Sequence, residues 1–286
     1  MTELKNPSRR VVLGGLGLAA AGAAIAGPAA MAQDSSTGGL QGKIAIVTGA
    51  RNNLGRGFAE RLAQSGADVV VHHHRAETRA EAEETADLVR AAGRRTALIS
   101  GDLGDSSNVA AVFDLAEREF GGTDILVHTC GSIIKKPVAE FTDEDFERLL
   151  NDNTRSTFYA MREAARRLRD QGRIIAVGTS LTAGAAPGYA AYGGTKAPVE
   201  ELTRMLAKEL GARRITVNNI APGPLDTPFF HEAETTESAA YASRLAAEGR
   251  LGNVADIVPV VETLALPEGQ WTNGQTLFVN GGYLTR

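Results

Sequence analysis

The chain has 286 residues, 43% hydrophobic and 22% charged, with a formal net charge of −4. That balance belongs to a globular protein able to bury a full core, and the slight excess of acid argues against a nucleic-acid partner. One cysteine, Cys130, excludes an internal disulfide and any cluster built on several thiolates.

Residues 1–32 read as an export signal preceding the fold. Lys5, Arg9 and Arg10 form a charged front, Val11 to Ala26 a weakly apolar Gly/Ala-rich stretch, and Ala30-Met31-Ala32 a small-x-small cleavage site. The Arg9-Arg10 pair after Ser8 resembles a twin-arginine signal, which implies periplasmic delivery. The apolar stretch is short and glycine-rich for a stable membrane span, so cleavage is expected over an uncleaved anchor. Residues 33–42 follow as a flexible lead-in.

From Lys43 to Arg286 short β-branched runs alternate with longer helical patterns. The runs fall at 43–48, 68–73, 95–100, 124–129, 173–178, 214–220 and 275–279; the helical segments at 54–65, 76–92, 105–120, 142–170, 192–211 and 253–266. Strand and helix in turn predict one α/β domain, a doubly wound parallel sheet of seven strands flanked by helices. Residues 224–250 break the rhythm and are expected to form an insertion over the active site.

Chemistry-bearing residues gather where strands end. After the first strand, "TGARNNLGRG" brings Thr48, Gly49, Arg51, Asn53, Leu54 and Gly55 between a strand and a helix, where backbone amides and the helix dipole favour a pyrophosphate. The second strand ends in His72-His73-His74-Arg75. Successive side chains on a strand point to opposite faces, so three adjacent histidines cannot easily converge on one ion, and no metal site is expected. His73 occupies the position at which an NAD-selective fold carries Asp or Glu. With no carboxylate there and Arg75 following, NADP(H) is expected over NAD(H), since guanidinium binds phosphate through paired charged bonds.

In "TSLTAGAAPGYAAYGGTK", Tyr192 and Lys196 are four apart at the start of a helix and share a face. A free tyrosine titrates at about 10, and a nearby ammonium lowers that value by favouring the phenolate. Ser180 precedes them at the end of a buried strand, ahead of a Gly/Pro/Ala-rich loop.

These stretches together resemble the short-chain dehydrogenase/reductase family: the TGxxxGxG loop, with Asn53 at the middle glycine, and the Ser-Tyr-Lys set. The "HHHR" stretch also resembles the NADPH-binding segment of pteridine reductases in that family. The resemblance implies Tyr192 as general acid/base, Lys196 lowering its pKa and holding the cofactor ribose, and Ser180 bonding the substrate oxygen. The family's serine usually stands thirteen residues before the tyrosine, a place taken here by Thr179; a one-residue loop deletion assigns the role to Ser180. It also implies Asn153 as part of a water-linked proton relay, and Asp102 with Leu103 at the adenine. Gly131 would allow close cofactor approach, and Pro222, Gly223 and Thr227 would lie beside the nicotinamide. The family's NNAG is His128-Thr129-Cys130-Gly131 here, so the first asparagine's support must come from elsewhere. A homotetramer is implied as well.

The resulting expectation is an exported NADPH-dependent oxidoreductase that reduces a ketone, aldehyde or 3-oxoacyl carbonyl to an alcohol. The alternatives are an NAD-linked secondary-alcohol dehydrogenase and a non-catalytic NADP(H)-binding protein. Phe229 and Phe230 offer either pocket wall or ordinary packing, and Lys135 and Lys136 either steering of an acidic substrate or an exposed turn.

Overall fold

Seven runs rich in Val, Ile and Leu pair side by side in a computed structural model that describes residues 39–285. The strands are β1 (Ile44–Thr48), β2 (Asp68–His73), β3 (Thr96–Ser100), β4 (Ile125–His128), β5 (Arg173–Val177), β6 (Thr216–Pro222) and β7 (Thr276–Val279). All pairings are parallel, in the order β3-β2-β1-β4-β5-β6-β7. Helices α1 (Asn53–Gln64), α2 (Arg79–Ala91), α3 (Ser106–Phe120), α4 (Asp143–Leu149), α5 (Ser156–Arg167), α6 (Ala190–Lys196) and α7 (Pro198–Glu209) supply the crossovers. The short α8 (Pro228–His231) and α9 (Thr236–Leu245) fill the predicted insertion, and α10 (Val254–Ala265) precedes the last strand.

Alternate strand residues bury against opposite helical layers. Ala45, Val47, Val69 and Val127 join Phe58 and Leu62 of α1 and Ile257 and Val261 of α10. Ile46, Val70, Leu126 and Ile174 face the other way, onto Phe113 of α3, Met161 of α5 and Val199 of α7. Both faces are apolar because both are covered, which is why the central strands read as continuous hydrophobic runs. This is the doubly wound Rossmann architecture that the alternating pattern predicts. Chain order reverses between β1 and β4, and a crevice opens at the carboxyl ends of the strands there.

Three boundaries differ from the sequence expectation. The 142–170 helix is interrupted by a π-helical turn over Leu150–Arg155. Ser156 and Thr157 donate back to the carbonyls of Asp152 and Asn153, and Thr154 donates to Thr195 O at 2.6 Å, contacts that widen the helix there. The 192–211 helix starts earlier, at Ala190, and restarts at Pro198, whose missing N–H suits a first helical turn. Within the predicted lead-in Leu40 is anchored on the core: it is buried, with its N–H on Ser65 O at 2.9 Å. The export signal and residues 33–38 lie outside the described residues. Among the described residues no helix is long and apolar enough to cross a membrane.

Candidate active site

The crevice is a cleft of about 1220 Å³ running from the β1–α1 loop to the insertion. Gly49 has φ +62°, and a Cβ there would stand 2.6 Å from Thr129 Oγ1. Asn53 takes φ +46°, the left-handed conformation that asparagine tolerates better than most residues. The first turn of α1 holds no acidic residue, and its N-cap, Asn52, makes no side-chain cap. The helix start is therefore open to an anion.

The three histidines diverge. His72 is fully buried and braces the loop: its Nδ1 accepts from Gly49 N at 3.2 Å, and its Nε2 donates to Gly101 O at 2.9 Å. His73 departs from its expected place against the cofactor. Its ring is buried below the wall, with Nδ1 2.8 Å from Arg75 O and 3.1 Å from Thr78 Oγ1. His74, Arg75 and Thr78 line the cleft instead. Arg75 has no carboxylate partner among the described residues, whereas Arg51 places Nη1 2.9 Å from both oxygens of Glu81. Among the described residues no group of three His, Cys, Asp or Glu side chains is placed to hold a metal ion.

At the reaction end, Tyr192 is buried in the wall beside Lys196 and Thr179. Burial pushes its phenol up to about 12, and a hydrogen bond from the Thr179 side chain opposes that rise. Ser180, expected to meet the substrate oxygen, has its hydroxyl engaged elsewhere: it donates to Ala221 O at 2.8 Å and accepts from Asn280 Nδ2 at 3.1 Å. The Thr179 hydroxyl, which accepts from Leu181 N at 3.3 Å, is the one that hydrogen-bonds the tyrosine. Thr179 stands thirteen residues before Tyr192 and Ser180 twelve. Lys196 lines the cleft beside the tyrosine. Its ammonium donates to Val177 O at 3.0 Å and Cys130 O at 3.2 Å, and burial lowers its pKa to about 8.

Asn153 is wholly buried inside the π turn. It accepts from Ser132 N at 2.9 Å and donates to Ser132 O and Thr195 Oγ1. Gly131 lies between these groups; a Cβ would fall 2.7 Å from Asn153 Oδ1 and 2.8 Å from Lys196 Nζ. The glycine is thus required by the protein's own side chains. Asp102 and Leu103 line the far end of the cleft, and Pro222, Gly223 and Thr227 the near end. Asp102 accepts from Gly104 N and is held by Asn151 Nδ2.

His128, where the family carries its first asparagine, is buried. Its Nδ1 lies 3.0 Å from Thr48 Oγ1 and its Nε2 3.3 Å from Ser156 Oγ, tying β4 to β1 and to the start of α5. Burial drives His128 down to about 3 and His72 to about 4. The unfolded chain takes up these protons near pH 6.5, while the folded chain excludes them. Folding stability is accordingly expected to fall on acidification from about pH 6.5 towards 4, by about 1.4 kcal/mol per pH unit for each histidine. Urea midpoints measured between pH 7 and 5 test this. His128→Asn should flatten the slope, and an unchanged slope would count against it. Burial raises the Cys130 thiol to about 11, which keeps it protonated at neutral pH.

Sequence reasoning missed Tyr189 and Glu234. Tyr189 packs edge-on against Tyr192, with ring centroids 5.9 Å apart. The Glu234 carboxylate receives Lys135, Tyr189 and Ser238. Nothing local in the sequence links residues so far apart. Neither lysine of the 135–136 pair is an unpaired cation: Lys135 meets Glu234 and Lys136 meets Asp145.

A parallel sheet whose switch point holds a glycine loop, a buried tyrosine and a lysine defines an oxidoreductase of the dinucleotide-binding class. The family model described as enoyl-(acyl carrier protein) reductase matches residues 49–284. The chain belongs to the short-chain dehydrogenase/reductase family. It is 38% identical over 253 residues to a short-chain type dehydrogenase/reductase of Picea abies, covering 85% of this chain and 93% of that protein. It is 38% identical over 260 residues to an NADPH-dependent aldehyde reductase-like chloroplastic protein of Arabidopsis thaliana, covering 86% and 95%. A Burkholderia cenocepacia crystal structure with bound NADP superposes with a TM-score of 0.85 at 40% identity, covering 88% of this chain and 97% of that one.

Proposed function

We propose that this chain reduces a ketone, aldehyde or 3-oxoacyl carbonyl to an alcohol with NADPH. The observation that carries this reading is the buried Thr179–Tyr192–Lys196 group at one end of a cleft whose other end is an uncapped helix start and the cation Arg75. The residues present fit the cofactor. The first amides of α1 suit the pyrophosphate, Arg75 the 2′-phosphate, and Asp102 with Leu103 the adenine. NADP(H) is therefore taken over NAD(H), in keeping with the relatives named above. When bound, the nicotinamide supplies the hydride that reaches the carbonyl carbon.

Tyr192 gives its proton to the carbonyl oxygen, so carbonyl and hydride become an alcohol. A phenol held near 12 is protonated at neutral pH, the form a general acid needs. Thr179 steadies the same oxygen, and Lys196 orients the ribose. Asn153 sustains the proton supply from below, through the backbone of Ser132. The mature chain acts in the periplasm as a homotetramer, after twin-arginine export directed by residues 1–32.

Following NADPH absorbance with a panel of aldehydes, ketones and 3-oxoacyl thioesters tests this reading. Turnover with NADPH well above NADH is expected. Tight NADPH binding with no turnover on any member would favour the non-catalytic alternative, and faster alcohol oxidation with NAD the dehydrogenase.

A further inference from the structure

The insertion meets the core through a buried ion pair on the substrate side of the cleft. Glu234, between α8 and α9, has only 5% of its side chain exposed and lies 2.5 Å from Lys135 Nζ. Tyr189 and Ser238 donate to the same carboxylate. The Lys135 ammonium also sits 5.2 Å above the Tyr189 ring, whose edge meets Tyr192. All four groups line the cleft, so they border the space beside the reactive phenol.

The other cations on the wall are already engaged or lie away from this space. Arg51 pairs with Glu81, Arg155 with Glu147 at 3.0 Å, and Arg148 with Asp152 at 3.8 Å. Arg75 stands at the end of β2, and Lys196 points at backbone carbonyls. Phe229, Phe230, Tyr241 and Leu181 line the cleft as well, together with a second acid, Glu232. An incoming carboxylate would find apolar rings, the negative Glu234, and a lysine whose charge is already matched.

We propose that Glu234 is a specificity-determining residue: by neutralising Lys135 at the pocket wall, it restricts the enzyme to carbonyl compounds that carry no carboxylate near the reacting group. The hydrogen bonds from Lys135, Ser238 and Tyr189 keep Glu234 ionised, holding it below its usual range although burial alone would raise it. The inference rests on the proposed carbonyl reduction for its substrates, but its physical content is a charge balance that ligand binding also reads.

The test compares methyl 4-acetylbenzoate with 4-acetylbenzoate as substrates. Wild type should prefer the ester. Glu234→Gln leaves Lys135 unmatched and should raise the acid-to-ester ratio of kcat/KM on the order of tenfold, chiefly through KM. The double variant Lys135→Met/Glu234→Gln removes both charges and should bring the ratio back towards wild type. Should Glu234→Gln fail to fold, Lys135→Met alone should push the ratio below wild type.

A parallel measurement uses no turnover: affinities of benzoate and benzamide for the NADPH-bound protein, read by cofactor fluorescence. Wild type should favour benzamide, and Glu234→Gln should tighten benzoate selectively. If wild type reduces neither ketone, the benzoate measurement still decides the charge balance, and the proposed function stands or falls on the wider carbonyl panel. Equal losses on both ligands, with both ratios unchanged, would overturn the inference and leave the cluster as packing alone.

Discussion

Tyr192→Phe is expected to lower NADPH-dependent carbonyl reduction by about 10²–10⁴-fold, the range for loss of a positioned proton donor, and to leave NADPH binding nearly unchanged. The phenol is buried in this wall, and removing one oxygen leaves its ring packing against Tyr189 intact. The two neighbouring hydroxyls should then separate. Thr179→Val removes the group that faces the phenol and should lower kcat steeply, with Thr179→Ser restoring much of it. Ser180→Ala breaks bonds to Ala221 O and Asn280 Nδ2, contacts that tie β6 to the C-terminal turn. Its cost should fall on stability, about 1 kcal/mol, more than on rate. Initial rates alongside urea midpoints distinguish the two. A deeper loss of kcat in Ser180→Ala than in Thr179→Val would return the role to the serine.

The placing of these two hydroxyls marks where sequence reading stops. The sheet was legible because burial on both faces imposes apolar runs such as "IAIV" and "ILV", and a parallel sheet needs a helix between each pair. Tyr192 and Lys196 were legible because four residues is one helical turn. The choice between Thr179 and Ser180 was not, since adjacent residues leaving a strand point to opposite sides and only the fold shows which side holds the tyrosine. The same alternation misplaced His73. One residue of register decides whether a ring braces the strand end or faces the cleft, and His74 is the one that lines it. The π turn escaped notice because Ser156 and Thr157 look like ordinary helix residues until their hydroxyls return to the backbone. Glu234 lies ninety-nine residues from Lys135, and a contact of that range leaves no local pattern.

Arg75→Asp should reverse the cofactor preference, raising the KM for NADPH on the order of 10²-fold while NADH is unaffected or improved. The reasons lie in what surrounds the side chain. Arg75 is exposed on the cleft wall without a carboxylate partner among the described residues, so its full charge is available to a 2′-phosphate. Its backbone carbonyl is fixed by His73 and Thr78, and a substitution at the side chain leaves that turn in place. An aspartate there would repel the phosphate and accept from the 2′- and 3′-hydroxyls of NADH. Arg51 is the competing candidate, but Glu81 holds it through both oxygens. That pair is 40% and 43% exposed, so it is worth at most about 1 kcal/mol and could yield Arg51 to the phosphate. Arg51→Ala should consequently cost less than Arg75→Asp, and the two together should add. Initial rates with both cofactors over the four combinations settle the assignment. An equal fall with NADPH and NADH in Arg75→Asp would show that the arginine serves the shared part of the cofactor, or the turn itself, and not the 2′-phosphate.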